Sequence, residues 1–291
     1  MVDRTALAQD ALQMALEVRE RAGIDFGTPL NVFDLCDRLS PKVRVLFVDY
    51  NMEGCYLRSS RPLIQVSALR PLPRRVFNCA HELGHHVFGH GSTIDELQED
   101  SHANPRTDPN EFLVNAFAGF LLMPKLGVRR AFTARKWSLN AASPEQLYVV
   151  ACHFGVGYET IVSHLAYGLG EIGTRQAEKL RRAKLPAIRR ALLGSDAAER
   201  LIVADQHYAL AQVDAEVGTF LLLPAGSEPE YRTCLTPIGD LSAGRLFRAE
   251  RAGLSRVEAP GQWAVVVRIS PYQYAGWSQY RHLAREEGDD E

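Results

Sequence analysis

The stretch His81-Glu82-Leu83-Gly84-His85 decides how the rest of this 291-residue chain is interpreted. Residues four apart on a helix lie one above the other, so His81 and His85 can present two imidazoles to one metal ion. Glu82 lies one residue further round the helix, where it can reach a water molecule without being a ligand. The pattern predicts a zinc site with its own general base, because zinc lowers the pKa of a bound water to about 7 and the carboxylate takes the proton.

The residues around this stretch favour a helix. Pro71 and Pro73 can open it, since proline is tolerated in a first turn, and Gly89 offers a stop. An apolar stripe at helical spacing runs through it and consists of Val76, Ala80, Leu83 and Val87. The alternative interpretation is a core helix that carries two incidental histidines.

Composition limits the classes of protein that the chain can represent. With 46% hydrophobic residues over its length, it can bury a sizeable core and is expected to form two domains. The formal net charge of −2 gives no global basic excess, so any nucleic-acid contact would be local. The N-terminus reads as an amphipathic helix rather than a signal peptide, and no run is apolar enough to predict a membrane span. Five cysteines without regular spacing predict a reducing cytoplasm.

The third zinc ligand is less obvious from the sequence. A metzincin would place a histidine six residues after His85, but His90 lies five residues on, so that pattern fails. A thermolysin-like site would draw a glutamate from a later helix, and Glu111 fits that description. Asp108 as N-cap, Pro109 as first helical residue and Glu111 at the third position also make a capping-box-like start. Helix capping and metal ligation therefore both remain open for Glu111.

Two segments resemble the ImmA/IrrE family of bacterial metallopeptidases. The first is residues 75–80 running into the zinc motif, and the second is the helix with Glu111, Asn115 and the closing residues 121–124. The resemblance covers about residues 1–170. It implies that Glu111 is the third zinc ligand beside His81 and His85, with Glu82 as the catalytic base. It also implies limited cleavage of a helix-turn-helix repressor, which derepresses stress, mobile-element or antiphage-defence genes.

The predicted fold class is α+β, with a zincin-like peptidase domain, a helical extension and a smaller strand-rich domain. Residues 1–170 are assigned to the zinc metallopeptidase domain, including a helix-turn-helix-like pair at 143–154 and 158–169. Residues 171–199 are expected to form a basic helical linker, and 200–285 a mixed α/β or β-rich sensor domain, for which the family resemblance implies a GAF-like fold. Residues 286–291 are an acidic tail that we expect to be disordered. The second helix of the pair has no Lys or Arg, which argues against a DNA-reading role.

The functional prediction is a zinc-dependent endopeptidase that cleaves a helix-turn-helix repressor. Because constitutive cleavage would defeat regulation, a signal at the C-terminal domain is expected to gate it, either single-stranded nucleic acid or a small molecule. No membrane partner is expected. The alternative is an antirepressor or sensor that binds its repressor without cutting it and uses zinc structurally.

Two further roles are open at this stage. The oxyanion stabiliser has three candidates, which are Tyr56, His102 and His164. Cys55 is a candidate inhibitory fourth zinc ligand, because it follows Gly54 on a short strand expected at the edge of the cleft and thiolate binds zinc strongly. The competing interpretation of Cys55 is a small buried hydrophobic residue.

Overall fold

The computed structural model describes residues 3–95, 108–195, 200–230 and 234–284. The helices are α1 (Arg4–Arg21), α2 (Val32–Arg38), α3 (Leu72–Val87), α4 (Pro109–Leu122), α5 (Lys125–Ala134), α6 (Pro144–His153), α7 (Tyr158–Ser163), α8 (Thr174–Arg181) and α9 (Leu185–Leu193). The strands are β1 (Arg44–Val48), β2 (Gly54–Leu57), β3 (Leu63–Ser67), β4 (Thr93–Asp95), β5 (Leu201–Val203), β6 (Gln212–Glu216), β7 (Phe220–Leu223), β8 (Glu228–Pro229), β9 (Leu235–Leu241), β10 (Gly244–Ala249), β11 (Gly253–Ala259), β12 (Trp263–Ser270) and β13 (Gly276–Trp277).

A five-stranded sheet and two central helices form the N-terminal part of the fold. The strand order is β13-β1-β3-β2-β4, with β1 parallel to β3 and β2 antiparallel to both β3 and β4. The helix α3 leaves β3 through Pro71 and packs against β2, β3 and α4. It ends at Val87, and Gly89 reverses the chain with a φ of +71°. The sequence predicted this helix.

Helix α4 is strongly apolar for a helix, with eight buried residues among its fourteen. The span Pro109–Ala134, which includes α4 and α5, satisfies the length and composition of a membrane-crossing helix, so the expectation that no run does so is wrong on those criteria alone. However, 67% of its most apolar window is buried inside the protein, as in the core helix of a soluble protein.

Buried Arg19 of α1 holds the C-terminal end of α4 in place. Its Nε and Nη2 atoms donate hydrogen bonds to the Leu121 carbonyl over 2.9 and 2.6 Å. Burial lowers the pKa of Arg19 to about 10.

The C-terminal part is built from two four-stranded sheets. Their orders are β5-β7-β10-β9 and β6-β12-β11-β8. Apolar residues of both sheets share one core, including Val213, Leu221, Phe247, Val257 and Val267. The strand-rich prediction is confirmed. The GAF-like and mixed α/β parts are not, because residues 200–230 and 234–276 contain strands and no α-helix.

The C-terminal part is joined to the N-terminal part by backbone and by buried charge. Strand β13 returns to pair with β1, where Leu46 faces Trp277. Arg75, the first residue of the family-like segment before the zinc motif, is 1% exposed and forms an ion pair with buried Glu216 of β6. Helices α8 and α9 of the predicted linker bury Leu180 and Ile188 in the same core as α3. The domain boundaries drawn from the sequence stay a prediction, and the acidic tail lies outside the described residues.

Candidate metal centre

Three side chains from α3 and α4 converge at one point. The Nε2 atoms of His81 and His85 are 3.2 Å apart. Glu111 Oε2 lies 3.3 Å from His81 Nε2, and Glu111 Oε1 lies 3.4 Å from His85 Nε2. Among the described residues, these three form the one group of His, Cys, Asp and Glu side chains whose ligand atoms are mutually close enough to hold a metal ion.

The spacing of these atoms fits a tetrahedral zinc ion. Zinc binds imidazole nitrogen and carboxylate oxygen at about 2.0–2.2 Å, and the edge of such a tetrahedron is about 3.3–3.6 Å. The three measured separations lie at or close to this edge. Two neutral imidazoles and one carboxylate are also a donor set that zinc prefers in catalytic sites. The residues present therefore fit zinc by both geometry and chemistry.

Close approach of α3 and α4 brings Glu111 to the histidines. Gly84, on α3 between the two histidines in sequence, makes this possible, because a Cβ there would lie 2.9 Å from Cβ of Val114 and 3.1 Å from the ring of Phe117. A larger residue would push the helices apart. The glycine of the motif therefore has a packing role that the sequence pattern alone did not reveal.

The far sides of both imidazoles are held by side chains whose role the sequence analysis missed. His81 Nδ1 lies 3.1 Å from Asn115 Oδ1, and Asn115 Nδ2 donates to the Glu111 carbonyl over 2.8 Å. His85 Nδ1 lies 2.9 Å from His90 Nδ1. If Nδ1 of each of the two histidines carries the proton and donates it in a hydrogen bond to Asn115 or His90, Nε2 keeps its lone pair for the metal. His90, which the spacing excluded as a ligand, thus supports His85 from the chain reversal after Gly89.

The structure separates helix capping from the position of Glu111. Asp108 caps α4, since its side chain accepts a hydrogen bond from the backbone N–H of Asn110 over 2.8 Å. The Glu111 carboxylate points instead to the two imidazoles. Hydrogen bonds with His81 and His85 hold the pKa of the Glu111 carboxyl well below its usual range, so this group is an anion. Asp108 therefore supplies the helix cap, and the role of Glu111 as a metal ligand stays a prediction that its position next to the two imidazoles supports.

Glu82 is completely buried next to this cluster. Thr93 of β4 donates a hydrogen bond to Glu82 Oε2 over 3.2 Å. A Cβ on Gly54 of β2 would lie 2.5 Å from Glu82 Oε1, so the absence of a side chain there leaves room for the carboxylate. The group that approaches the Gly54 backbone is therefore the predicted base.

The structure does not bring Cys55 into the cluster. Gly54 and Tyr56 both face α3, since Gly54 abuts Glu82 and the Tyr56 hydroxyl lies 2.8 Å from His86 Nδ1. Side chains alternate along a strand, so Cys55 lies on the opposite face of β2. Its 5% exposure agrees with a small buried residue. The inhibitory thiolate stays a hypothesis, and the geometry of β2 argues against it.

The two described candidates for oxyanion stabilisation lie in different places. Tyr56 is buried and engaged with His86, and burial raises the pKa of its hydroxyl. His164 Nε2 lies 3.0 Å from the Met123 carbonyl, and burial lowers the pKa of His164 to about 4. Met123 is twelve residues beyond Glu111, about 18 Å along the axis of α4, so His164 lies far from the cluster. His102 lies outside the described residues.

The segment that carries these residues matches a known protein family. Residues 37–165 match the model of the Peptidase_M78 family, described as an IrrE N-terminal-like domain. The match spans α3 and α4 and therefore contains His81, Glu82, His85 and Glu111. The resemblance to the ImmA/IrrE family is confirmed over this part of the chain, and the family implies a peptidase that depends on metal.

Comparisons with curated proteins and with solved structures give less information about the chain. No curated protein matches the chain. Among solved structures, a Mycobacterium tuberculosis transcriptional regulator is similar over 54% of this chain and 46% of that chain, at 18% identity and a TM-score of 0.35. The chain therefore matches just under half the length of that regulator.

Proposed function

We propose that the protein is a zinc-dependent endopeptidase that cleaves a helix-turn-helix transcriptional repressor to release stress or defence genes. The observation that supports this most strongly is the triangle of His81, His85 and Glu111 ligand atoms with Glu82 buried beside it. A site with a purely structural metal has no need of a carboxylate base at this position. The family match supports the peptidase class, and the choice of repressor as substrate rests on the resemblance.

The chain's own residues divide the chemistry between them. His81, His85 and Glu111 would hold zinc, which supplies a Lewis acid that polarises the peptide carbonyl and makes a water molecule more acidic. Glu82 takes a proton from that water as its oxygen attacks the carbonyl carbon. The same carboxyl then gives the proton to the departing amide nitrogen, so that Glu82 is regenerated. Thr93 and Gly54 keep the carboxylate in place during both transfers.

The proposal includes a cytoplasmic location and a signal that gates cleavage through the C-terminal part. All five cysteines are free, which agrees with a reducing compartment. The buried pair Arg75–Glu216 ties the beginning of α3 to β6. A movement of the C-terminal sheets can therefore be transmitted through this ion pair to the helix that carries the zinc motif.

Cleavage can be tested with a purified helix-turn-helix repressor of the organism that encodes this protein. We expect zinc-loaded protein to convert it into two defined fragments, and a zinc chelator such as phenanthroline to stop the reaction. Adding zinc back should restore cleavage, because the ligands His81, His85 and Glu111 remain in place. Mass spectrometry of the fragments measures the result. A stable complex with zinc-loaded protein and no fragments would instead identify a non-proteolytic antirepressor.

A further inference from the structure

A cavity of about 560 Å³ lies between the N-terminal and C-terminal parts of the protein. Its walls come from the start of α3, from α6 and the turn before α7, and from β5 and β6. None of the four residues of the candidate metal centre lines it. Its volume is within the range of small-molecule sites in proteins, which is about 300–1,000 Å³.

Most of the wall is apolar or aromatic. Apolar side chains come from both parts of the protein and include Leu30, Leu72, Val76, Phe154, Leu201 and Val213. Tyr148, Tyr208 and Tyr272 add flat rings with polar ends. Such a wall favours a flat, apolar body in its occupant, because burial of apolar surface provides the affinity.

The two carboxylates in the wall are already balanced by positive charge. Asp214 accepts hydrogen bonds from Arg268 over 2.5 Å and from Arg281 over 2.7 Å. Glu216 is paired with the buried guanidinium of Arg75. A cationic occupant would therefore have to compete with arginines that are held in place by the fold.

Two arginines in the wall have no such balance. Within residues 3–95, 108–195, 200–230 and 234–284, neither Arg189 nor Arg200 forms an ion pair with a carboxylate. Arg200 lies over the ring of Tyr272, 4.0 Å from its centroid, and donates to the Val217 carbonyl over 3.1 Å. The Nε of Arg189 is buried, and no group in the described part of the chain accepts a hydrogen bond from it. A buried donor of this kind is costly unless an acceptor reaches it.

We propose that this cavity binds an amphipathic organic anion, with a flat apolar body and one carboxylate, sulfonate or phosphate group balanced by Arg189 and Arg200. The occupant would touch residues 70–73 and Val76, which precede and open α3, the helix that carries the zinc motif. The inference thus deepens the proposed gating by naming the ligand class and its place. Binding is measured on the full chain without a peptide substrate, so its failure is distinct from a failure of cleavage.

Two fluorescent probes that share one ring system test the proposal. Anilinonaphthalene sulfonate carries a negative charge, and phenylnaphthylamine is its neutral counterpart. We expect saturable binding of both to wild-type protein. Arg189→Gln and Arg200→Gln should each weaken sulfonate binding about tenfold, because each removes a charge-assisted hydrogen bond, and leave the neutral probe unchanged.

Controls separate this result from unspecific effects. Arg190→Gln, on the next and exposed position of α9, should change neither affinity. Arg200→Lys keeps the charge and should retain most of the sulfonate affinity, which a general loss of folding would not allow. The proposal is overturned if wild-type protein shows no saturable sulfonate binding, or if both glutamine variants bind the sulfonate as tightly as wild type.

Discussion

Replacing Glu111 with alanine should leave the protein without a stably bound zinc ion. Two neutral imidazoles would remain after the anionic ligand at 3.3–3.4 Å from their Nε2 atoms is lost. Changes at residues that merely support a ligand already cost about 10–100-fold in metal affinity, so loss of a ligand itself should cost more than about 100-fold. Zinc content after gel filtration, and competition with a chromophoric chelator, measure the effect.

Asp108→Ala is the matched control for this experiment. It removes the side chain that caps α4 three residues before Glu111, and it should cost about 0.5–2 kcal/mol of stability while the zinc ligands stay in place. Zinc affinity should therefore stay near the wild-type value. Retention of wild-type zinc affinity by Glu111→Ala would show that Glu111 is not a ligand.

Replacing Glu82 with glutamine should abolish cleavage and leave zinc binding intact. The two side chains have nearly the same shape, and the glutamine amide oxygen can still accept the hydrogen bond from Thr93. Glutamine cannot take a proton from the attacking water, and general-base catalysis is worth about 10²–10⁴-fold in rate. The rate of repressor cleavage at equal zinc occupancy measures the loss. Wild-type cleavage by Glu82→Gln would remove Glu82 from the mechanism.

The sequence predicted the parts of the site that depend on helix periodicity. The histidines four apart and the apolar stripe that includes Leu83 indicated α3, and Asp108 with Pro109 marked the start of α4. Helix α5 was not predicted, because only two residues separate it from the end of α4 and its N-cap is Pro124, one of the closing residues 121–124 of the second family-like segment.

Contacts between distant parts of the chain could not be predicted from local patterns. The pairing of β13 with β1 and the ion pair of Arg75 with Glu216 join residues more than a hundred positions apart. The support of His85 by His90 depends on the chain reversal after α3. The strand-like pattern of the C-terminal part indicated β-structure, but it did not distinguish two packed sheets from a sheet flanked by helices.

X-ray absorption spectroscopy of the zinc-loaded protein tests the central claim most directly, because it counts the atoms bound to the metal and identifies them. The account predicts two imidazole nitrogens and carboxylate or water oxygen, all at about 2.0–2.2 Å. It predicts no sulfur, since Cys55 lies on the far face of β2. A sulfur atom at about 2.3 Å, or a spectrum with fewer than two imidazoles, would contradict the assignment of His81, His85 and Glu111 as the zinc ligands.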